Sequence, residues 1–175
     1  MGLLDKLKKA IAPARPTGVE TEFAQGRVCA PASGRVTSLG DVPDPVFAGG
    51  LMGQGCAVWP EDETVYAPVS GTVSTAMSHA VGLRTDDGVE VLVHIGIDTV
   101  EMNGDGFEVF VHPDEHVNAG QPLVRVDREK IRAAGHPDCV VVCVTNSDDF
   151  ASVETVTARG SITRAGMILA VVTPR

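Results

Sequence analysis

"VCAPASGRVTSL" (Val28–Leu39) decides the fold, because the chain writes it twice. Residues 65–76 read "VYAPVSGTVSTA", so both stretches follow V-x-A-P-x-S-G-x-V, offset by 37 residues. The Pro and Gly of each copy mark a turn between short strands. A second echo pairs "NAGQPLVRV" (118–126) with "RAGMILAVV" (164–172), both A-G-x-x-L-x-x-V, offset by 46 residues. There the Gly stands just before a strand. A lone copy of either unit cannot bury its apolar face, so two copies of each must interlock. The expected fold is all-β, an antiparallel β sandwich or barrel built from two interlocked repeated motifs, with short helices at its edges.

Composition agrees. The 175 residues suffice for one domain with a sizeable core. Aromatics are scarce at 4%, while 19 Gly and 11 Pro are spread along the chain, as many short strands and turns require. One short helix is expected in "DREKIRAAG", with Asp127 as cap and Gly135 as stop.

Net charge is −9, which excludes a nucleic-acid surface, since phosphate binding needs a basic patch. Residues 1–11 carry Lys6, Lys8 and Lys9 against Asp5, a net +2 that leaves −11 on the remainder. An acidic body suits solubility or a basic protein partner. Cys29, Cys56, Cys139 and Cys143 form no C-x-x-C pair, and the last two lie in the apolar run "CVVVCVT". They read as buried free thiols, which with no secretory signal points to a reducing cytoplasm. No apolar run approaches the ~18 residues that cross a bilayer.

Three segments are expected: an amphipathic stretch over 1–11, a linker over 12–25 and a domain over 26–175. In "MGLLDKLKKAIA", Leu3, Leu4, Leu7 and Ile11 share a helical face, with the lysines largely elsewhere. A helix this short is marginal in water. An anionic membrane surface supplies the missing stability, through aliphatic burial and about 1 kcal/mol per lysine, giving weak, reversible peripheral attachment. Docking of the tail on its own domain is the other reading.

Two histidines stand out in "HAVGLRTDDGVEVLVHIGID" (79–98). The second arm alternates. Val89, Val91, Val93, Ile95 and Ile97 take the core face, and Glu90, Leu92, His94, Gly96 and Asp98 the other. His94 thus stands beside Gly96, where a missing side chain leaves room for approach. A two-residue turn at Asp86-Asp87 or at Asp87-Gly88 puts His79 and His94 on one face, about 4.5–8 Å apart. A three-residue loop puts them on opposite faces. Two converging imidazoles admit phosphoryl transfer through a ring nitrogen, divalent metal binding or acid–base hydrolysis. No G-x-S-x-G elbow and no GxxxxGK[ST] loop occurs, which argues against a serine triad and against direct use of a nucleotide.

The same residues carry a resemblance. "SHAVGLRTDDGVEVLVHIGIDTVEMNGDGFEV", with "DVPDPVFAGGLMGQG", "APVSGTV" and "GQPL", is similar to the glucose-type enzyme IIA of the bacterial phosphoenolpyruvate-dependent sugar phosphotransferase system, from about residue 26 to 173. "MGLLDKLKK" also resembles the membrane-touching N-terminus of free-standing members. The resemblance implies a β sandwich of the duplicated hybrid motif type with a shallow apolar depression around the site. It implies that His94 accepts a phosphoryl group from the phosphocarrier HPr and passes it to a cysteine of a sugar-specific enzyme IIB, itself coupled to IIC. His79 contacts and stabilises the phosphoryl group, and Gly96 offers its carbonyl to the other ring nitrogen of His94. Val46, Phe47, Leu51 and Met52 are the matching apolar partner-binding positions, and Asp44 and Asp98 supply charge for a basic partner. No cofactor is required. An alternative within the resemblance is a regulatory module whose unphosphorylated face grips transporters or metabolic enzymes, with zinc shared between His79 and His94.

The chain departs from the family between Gly71 and His79, which is about two residues shorter than in typical members. "TAMSHA" replaces an aromatic and a threonine. Ser78 is left as a donor to His79 or to phosphate, and Met77 reads as core filler. His112, His116 and His136 read as solvated, and Phe107 as core or rim. The A-P-x-S-G and A-G-x-x-L units also resemble biotinyl and lipoyl carriers. Those need a lysine at a hairpin tip, whereas beyond Lys9 only Lys130 is present.

Overall fold

The structure, a computed structural model, describes residues 15–175. The amphipathic stretch expected over 1–11 lies outside the described residues. In chain order the strands are β1 (Arg27–Cys29), β2 (Gly34–Ser38), β3 (Gln54–Pro60), β4 (Thr64–Tyr66), β5 (Gly71–Ala76), β6 (Ala80–Arg84) and β7 (Glu90–Ile95). They continue as β8 (Phe107–Val109), β9 (His116–Val117), β10 (Pro122–Val126), β11 (Val140–Val144), β12 (Ser152–Thr155), β13 (Ile162–Thr163) and β14 (Ile168–Thr173). Two short helices, α1 (Pro45–Ala48) and α2 (Arg128–Ala133), lie between strands. Asp127 caps α2 by accepting from the Lys130 N–H, and Gly135, at φ +86°, follows its end.

Every strand pairing is antiparallel. Eight strands form one sheet in the order β13-β2-β3-β11-β7-β6-β5-β9, and two three-stranded sheets run β1-β14-β12 and β4-β10-β8. The repeats explain the two small sheets. Each has an A-G-x-x-L strand at its centre, β14 or β10, flanked by the strand that leads into A-P-x-S-G, β1 or β4.

The copies lock together through matched backbone bonds. Gly166 N–H donates to the Ala30 carbonyl and Gly120 N–H to the Ala67 carbonyl, at 2.9 and 2.8 Å. Ser33 Oγ accepts from Ala165 N–H and Ser70 Oγ from Ala119 N–H, at 3.1 and 2.8 Å. Across the pseudo-twofold, Cys29 N–H reaches Pro68 and Tyr66 N–H reaches Pro31, both at 2.8 Å. The serine of each A-P-x-S-G therefore satisfies a backbone donor at the head of an A-G-x-x-L strand.

The linker expected over 12–25 is, from Arg15 onward, an arm laid on the domain. Val19 N–H bonds to Gly120 and Glu22 N–H to Gly166, at 3.0 and 2.8 Å, so one extended segment crosses both repeat glycines. A Cβ at Gly120 would stand 2.2 Å from the Val19 carbonyl oxygen, and one at Gly166 2.1 Å from that of Glu20. Glycine at both positions lets the backbones touch. Phe23 of the arm packs on the main core.

That core draws on all three sheets, including Val28, Val65, Val93, Val124, Val142 and Leu169. A smaller apolar cluster of Leu39, Val42, Phe47, Ala57, Ile97, Cys139, Val141 and Cys143 lies apart from it. This explains the run "CVVVCVT". Val140, Val142 and Val144 of β11 face the main core while Val141 and Cys143 face the second cluster, so both faces of the strand are buried. All four cysteines are free and buried. Burial pushes the Cys29 and Cys56 thiols up to about 11, which leaves them protonated and unreactive. No described helix is long and apolar enough to cross a membrane.

Candidate functional site

The site grows from the end of β7. His94 pairs across to Val141 of β11 on one side and Ala80 of β6 on the other. β7 alternates as its sequence does, with Val91, Val93 and Ile95 buried and Leu92 and His94 only partly so. Beyond Ile95 the ladder stops and the chain turns back at Gly96, at φ +73°, and Asp98, at φ +58°. This turn brings the Gly96 carbonyl onto the ring of its neighbour, with His94 Nδ1 2.8 Å from Gly96 O. A carbonyl only accepts, so Nδ1 carries the hydrogen and Nε2 keeps its lone pair.

The turn that brings His79 to this face differs from both two-residue readings. Thr85 pairs with Val89, and Gly88 N–H bonds to the Thr85 carbonyl at 3.0 Å, leaving Asp86, Asp87 and Gly88 as a three-residue loop. Gly88 is left-handed at φ +87°, the hallmark of a type I turn followed by a bulge. Strand alternation with this loop would send His79 and His94 to opposite faces. The rings nevertheless meet, with centroids 5.3 Å apart and planes at 76°. The reason lies at the other end of β6. Met77 N–H bonds to the Ala80 carbonyl at 2.8 Å, leaving Ser78 and His79 as the tip of the β5–β6 hairpin. At this tip the His79 carbonyl still accepts from Ile95 N–H at 2.7 Å, and the His79 side chain reaches the ring of His94.

The other wall is Phe47, whose ring centroid lies 4.9 Å from that of His94. Asp44 sets it there. Its carboxylate caps α1, accepting from Val46 N–H at 2.8 Å and Phe47 N–H at 3.1 Å, and Pro45 starts the helical turn. Phe47 is only 6% exposed, so it is a wall under the ring and not the open partner contact the sequence suggested. Met52 is likewise partly buried against the second cluster. Val46 and Leu51 do stand open, at 41% and 78% exposure.

Two further rim residues come from the site's own segments. Met77, expected as core filler, is 54% exposed beside the hairpin tip, and Val100, two residues beyond Asp98, is 58% exposed. Val100 carried no sequence signal, because an exposed valine after an apolar strand has no periodicity of its own. Ser78 lies near Gly104, and among the described residues no hydrogen bond joins it to His79. Thr99, unremarked in the sequence, is fully buried and donates from Oγ1 to the Ile95 carbonyl, closing the end of β7.

Burial favours the neutral form of both rings. Burial pushes His94 below its ordinary value; the Gly96 carbonyl, Asp44 and Asp98 pull the other way and His79 adds to the lowering. Burial also lowers His79. An unprotonated Nε2 in an apolar surround, with a second imidazole within reach, suits attack on an electron-poor centre. A structural zinc takes four ligands. These two imidazoles are not joined by further ligands, since no group of three His, Cys, Asp or Glu could hold a metal ion among the described residues.

The remaining histidines stay apart. His112 is exposed and faces Glu115. His136, expected as solvated, is instead 14% exposed at its side chain and lies 3.8 Å from Glu101. Phe107 packs partly buried on the main core.

The family model of the phosphoenolpyruvate-dependent sugar phosphotransferase system, EIIA 1, matches residues 26–150. The glucose-specific EIIA component of Staphylococcus aureus (strain COL) is 41% identical over 128 residues, which cover 72% of this chain and 77% of that one. The glucose-specific EIICBA component of Staphylococcus saprophyticus is 44% identical over 124 residues, and the mannose-specific EIIBCA component of Corynebacterium glutamicum 42% over 133. This chain spans only 18% and 20% of those two longer relatives. Among solved structures, the glucose permease IIA of Mycoplasma capricolum superposes with a TM-score of 0.72 at 35% identity, covering 82% of this chain and 93% of that one. The matched range 26–150 includes both A-P-x-S-G copies, both histidines and the turn that carries Gly96, and by it the chain belongs to the EIIA 1 family of the phosphoenolpyruvate-dependent sugar phosphotransferase system.

Proposed function

We propose that the protein is a phosphocarrier of sugar uptake, taking a phosphoryl group from phospho-HPr on His94 Nε2 and passing it to a cysteine of a sugar-specific enzyme IIB. The observation that carries this reading is the Gly96 carbonyl 2.8 Å from His94 Nδ1, beside a second imidazole. With Nδ1–H held, the Nε2 lone pair forms the N–P bond as the bond from phosphorus to the donor carrier breaks and its electrons stay with the donor. No separate base is needed, because the nucleophile has no proton to lose. Positive charge then builds on the ring, and the Gly96 carbonyl with Asp44 and Asp98 stabilises it. His79 donates to a phosphoryl oxygen, and Ser78 adds a second donor at the tip. The transition state is loose, so positioning and charge placement supply most of the acceleration.

The rim fits a docking partner. Val46, Leu51, Met77 and Val100 are exposed apolar side chains on the segments that carry Phe47, His79 and His94, and a partner covering them excludes water that would hydrolyse the phosphohistidine. Asp44 and Asp98 draw a basic carrier. The relatives named EIICBA and EIIBCA support IIB and IIC as partners on the far side of the transfer. Their names include both glucose and mannose, which supports the reading that the sugar choice lies with IIB and IIC.

Labelling from phosphoenolpyruvate, enzyme I and HPr tests the site. His94→Gln takes up no label, and His79→Gln takes up label but passes it on poorly. Label on His94→Gln, or normal onward transfer by His79→Gln, overturns the corresponding role.

A further inference from the structure

Asp138 is the only charged side chain among the described buried residues, at 7% exposure. Arg128, the first residue of α2, holds it with Nε at 3.0 Å from Oδ2 and donates from Nη1 to the Glu61 carbonyl at 2.8 Å. A buried ion pair is a weak source of stability, because desolvation offsets its attraction. Its place in the chain gives it another use. Asp138 lies between Pro137 and Cys139, and these two carbonyls receive the N–H groups of the site turn. Ile97 donates to Pro137 O at 3.0 Å and Gly96 to Cys139 O at 2.8 Å.

The link to His94 runs through planar peptide units. The Ile97 N–H and the Gly96 carbonyl belong to one peptide group, so fixing one direction fixes the other. The Pro137 carbonyl belongs in turn to the peptide group that carries the Asp138 nitrogen. Anchoring Asp138 therefore orients the Pro137 carbonyl, which orients the Gly96–Ile97 plane, which aims the Gly96 oxygen at His94 Nδ1. We propose that the Arg128–Asp138 pair is a positioning device that sets the tautomer of His94. The proposal rests on the phosphocarrier reading only for its consequence; the tautomer itself is observable without any transfer.

Nitrogen-15 NMR of the imidazole rings of the full chain tests it. The wild-type His94 signals are those of an Nδ1–H ring. Asp138→Asn and Arg128→Gln are expected to lower the ratio of Nδ1–H to Nε2–H ring at least about fivefold, the worth of one ordinary hydrogen bond. Arg128→Lys, which keeps the charge and loses the fork, falls between them and wild type. In phosphoryl transfer from phospho-HPr the same variants lower kcat and leave KM unchanged, because the rim is untouched. Asp138→Asn leaves Arg128 without its anion and is the variant most exposed to misfolding. Arg128→Lys, at a side chain with 19% exposure, keeps the test alive there. Wild-type ring signals in a folded Arg128→Gln or Arg128→Lys overturn the proposal. A shifted tautomer together with labelling of His94→Gln would instead overturn the phosphocarrier site and leave the positioning role standing.

Discussion

Substituting Gly96 by alanine puts the site turn under a load that the structure lets us size. Gly96 is left-handed at φ +73°, and an alanine there costs about 1–2 kcal/mol from its Cβ alone. That Cβ would stand 2.4 Å from Thr99 Cγ2 and 3.0 Å from the Pro137 carbonyl oxygen. Thr99 is fully buried and its hydroxyl is committed to Ile95, so turning it aside loses a hydrogen bond worth about 1 kcal/mol. The Pro137 oxygen cannot retreat without releasing Ile97. The expected loss is about 3 kcal/mol, or roughly 6–12 °C in melting temperature for a chain of this size. The strain is relieved by moving the 96–97 peptide, which carries the Gly96 oxygen off His94 Nδ1. Transfer from phospho-HPr, followed by stopped flow, should then fall roughly tenfold beyond any loss of folded protein. Gly88→Ala is the control: its φ is +87°, but no atom lies within 4 Å of the added carbon. It should cost only the backbone part, about 1–2 kcal/mol, and leave transfer unchanged. If Gly96→Ala melts and transfers like Gly88→Ala, the turn does not hold the ring and the reasoning fails.

Four other outcomes are expected. His94 and His79 are both held below their ordinary value of 6.5, so the folded state binds fewer protons than the unfolded one as pH falls below it. Their stabilising contribution is complete above about pH 6.5 and is lost as pH falls through the depressed folded values, so His94→Gln should flatten the acid limb of a melting-temperature profile; an unchanged limb counts against the shift. The transfer rate should be level between about pH 8 and 7, where the ring is already neutral. Leu51→Ser and Val100→Ser, at 78% and 58% exposure, should leave the melting curve in place while raising KM for phospho-HPr roughly tenfold; an unchanged KM would remove these residues from the docking rim. Ser70→Ala and Ser33→Ala each strip a backbone N–H of its acceptor and should each cost about 1–2 kcal/mol in chemical denaturation, the two being equal if the pseudo-twofold governs; no loss at either would mean the serines do not tie the repeats.

The sequence alone determined the β architecture, because V-x-A-P-x-S-G-x-V and A-G-x-x-L are local patterns whose turns and alternation act within a few residues. It marked His94 through period-two spacing and an adjacent glycine, for the same local reason. It misread the 85–89 turn, since Asp-Gly serves both a two-residue hairpin and a three-residue loop with a left-handed glycine. Long-range contacts set the approach of His79 to His94 from a hairpin tip, the packing of Phe47 against the ring, and the lie of Arg15–Gln25 on the domain. Those outcomes depend on groups far apart in the chain, brought together by burial of two faces of one sheet and by backbone donors that must find acceptors, and no spacing within a single strand encodes which will meet.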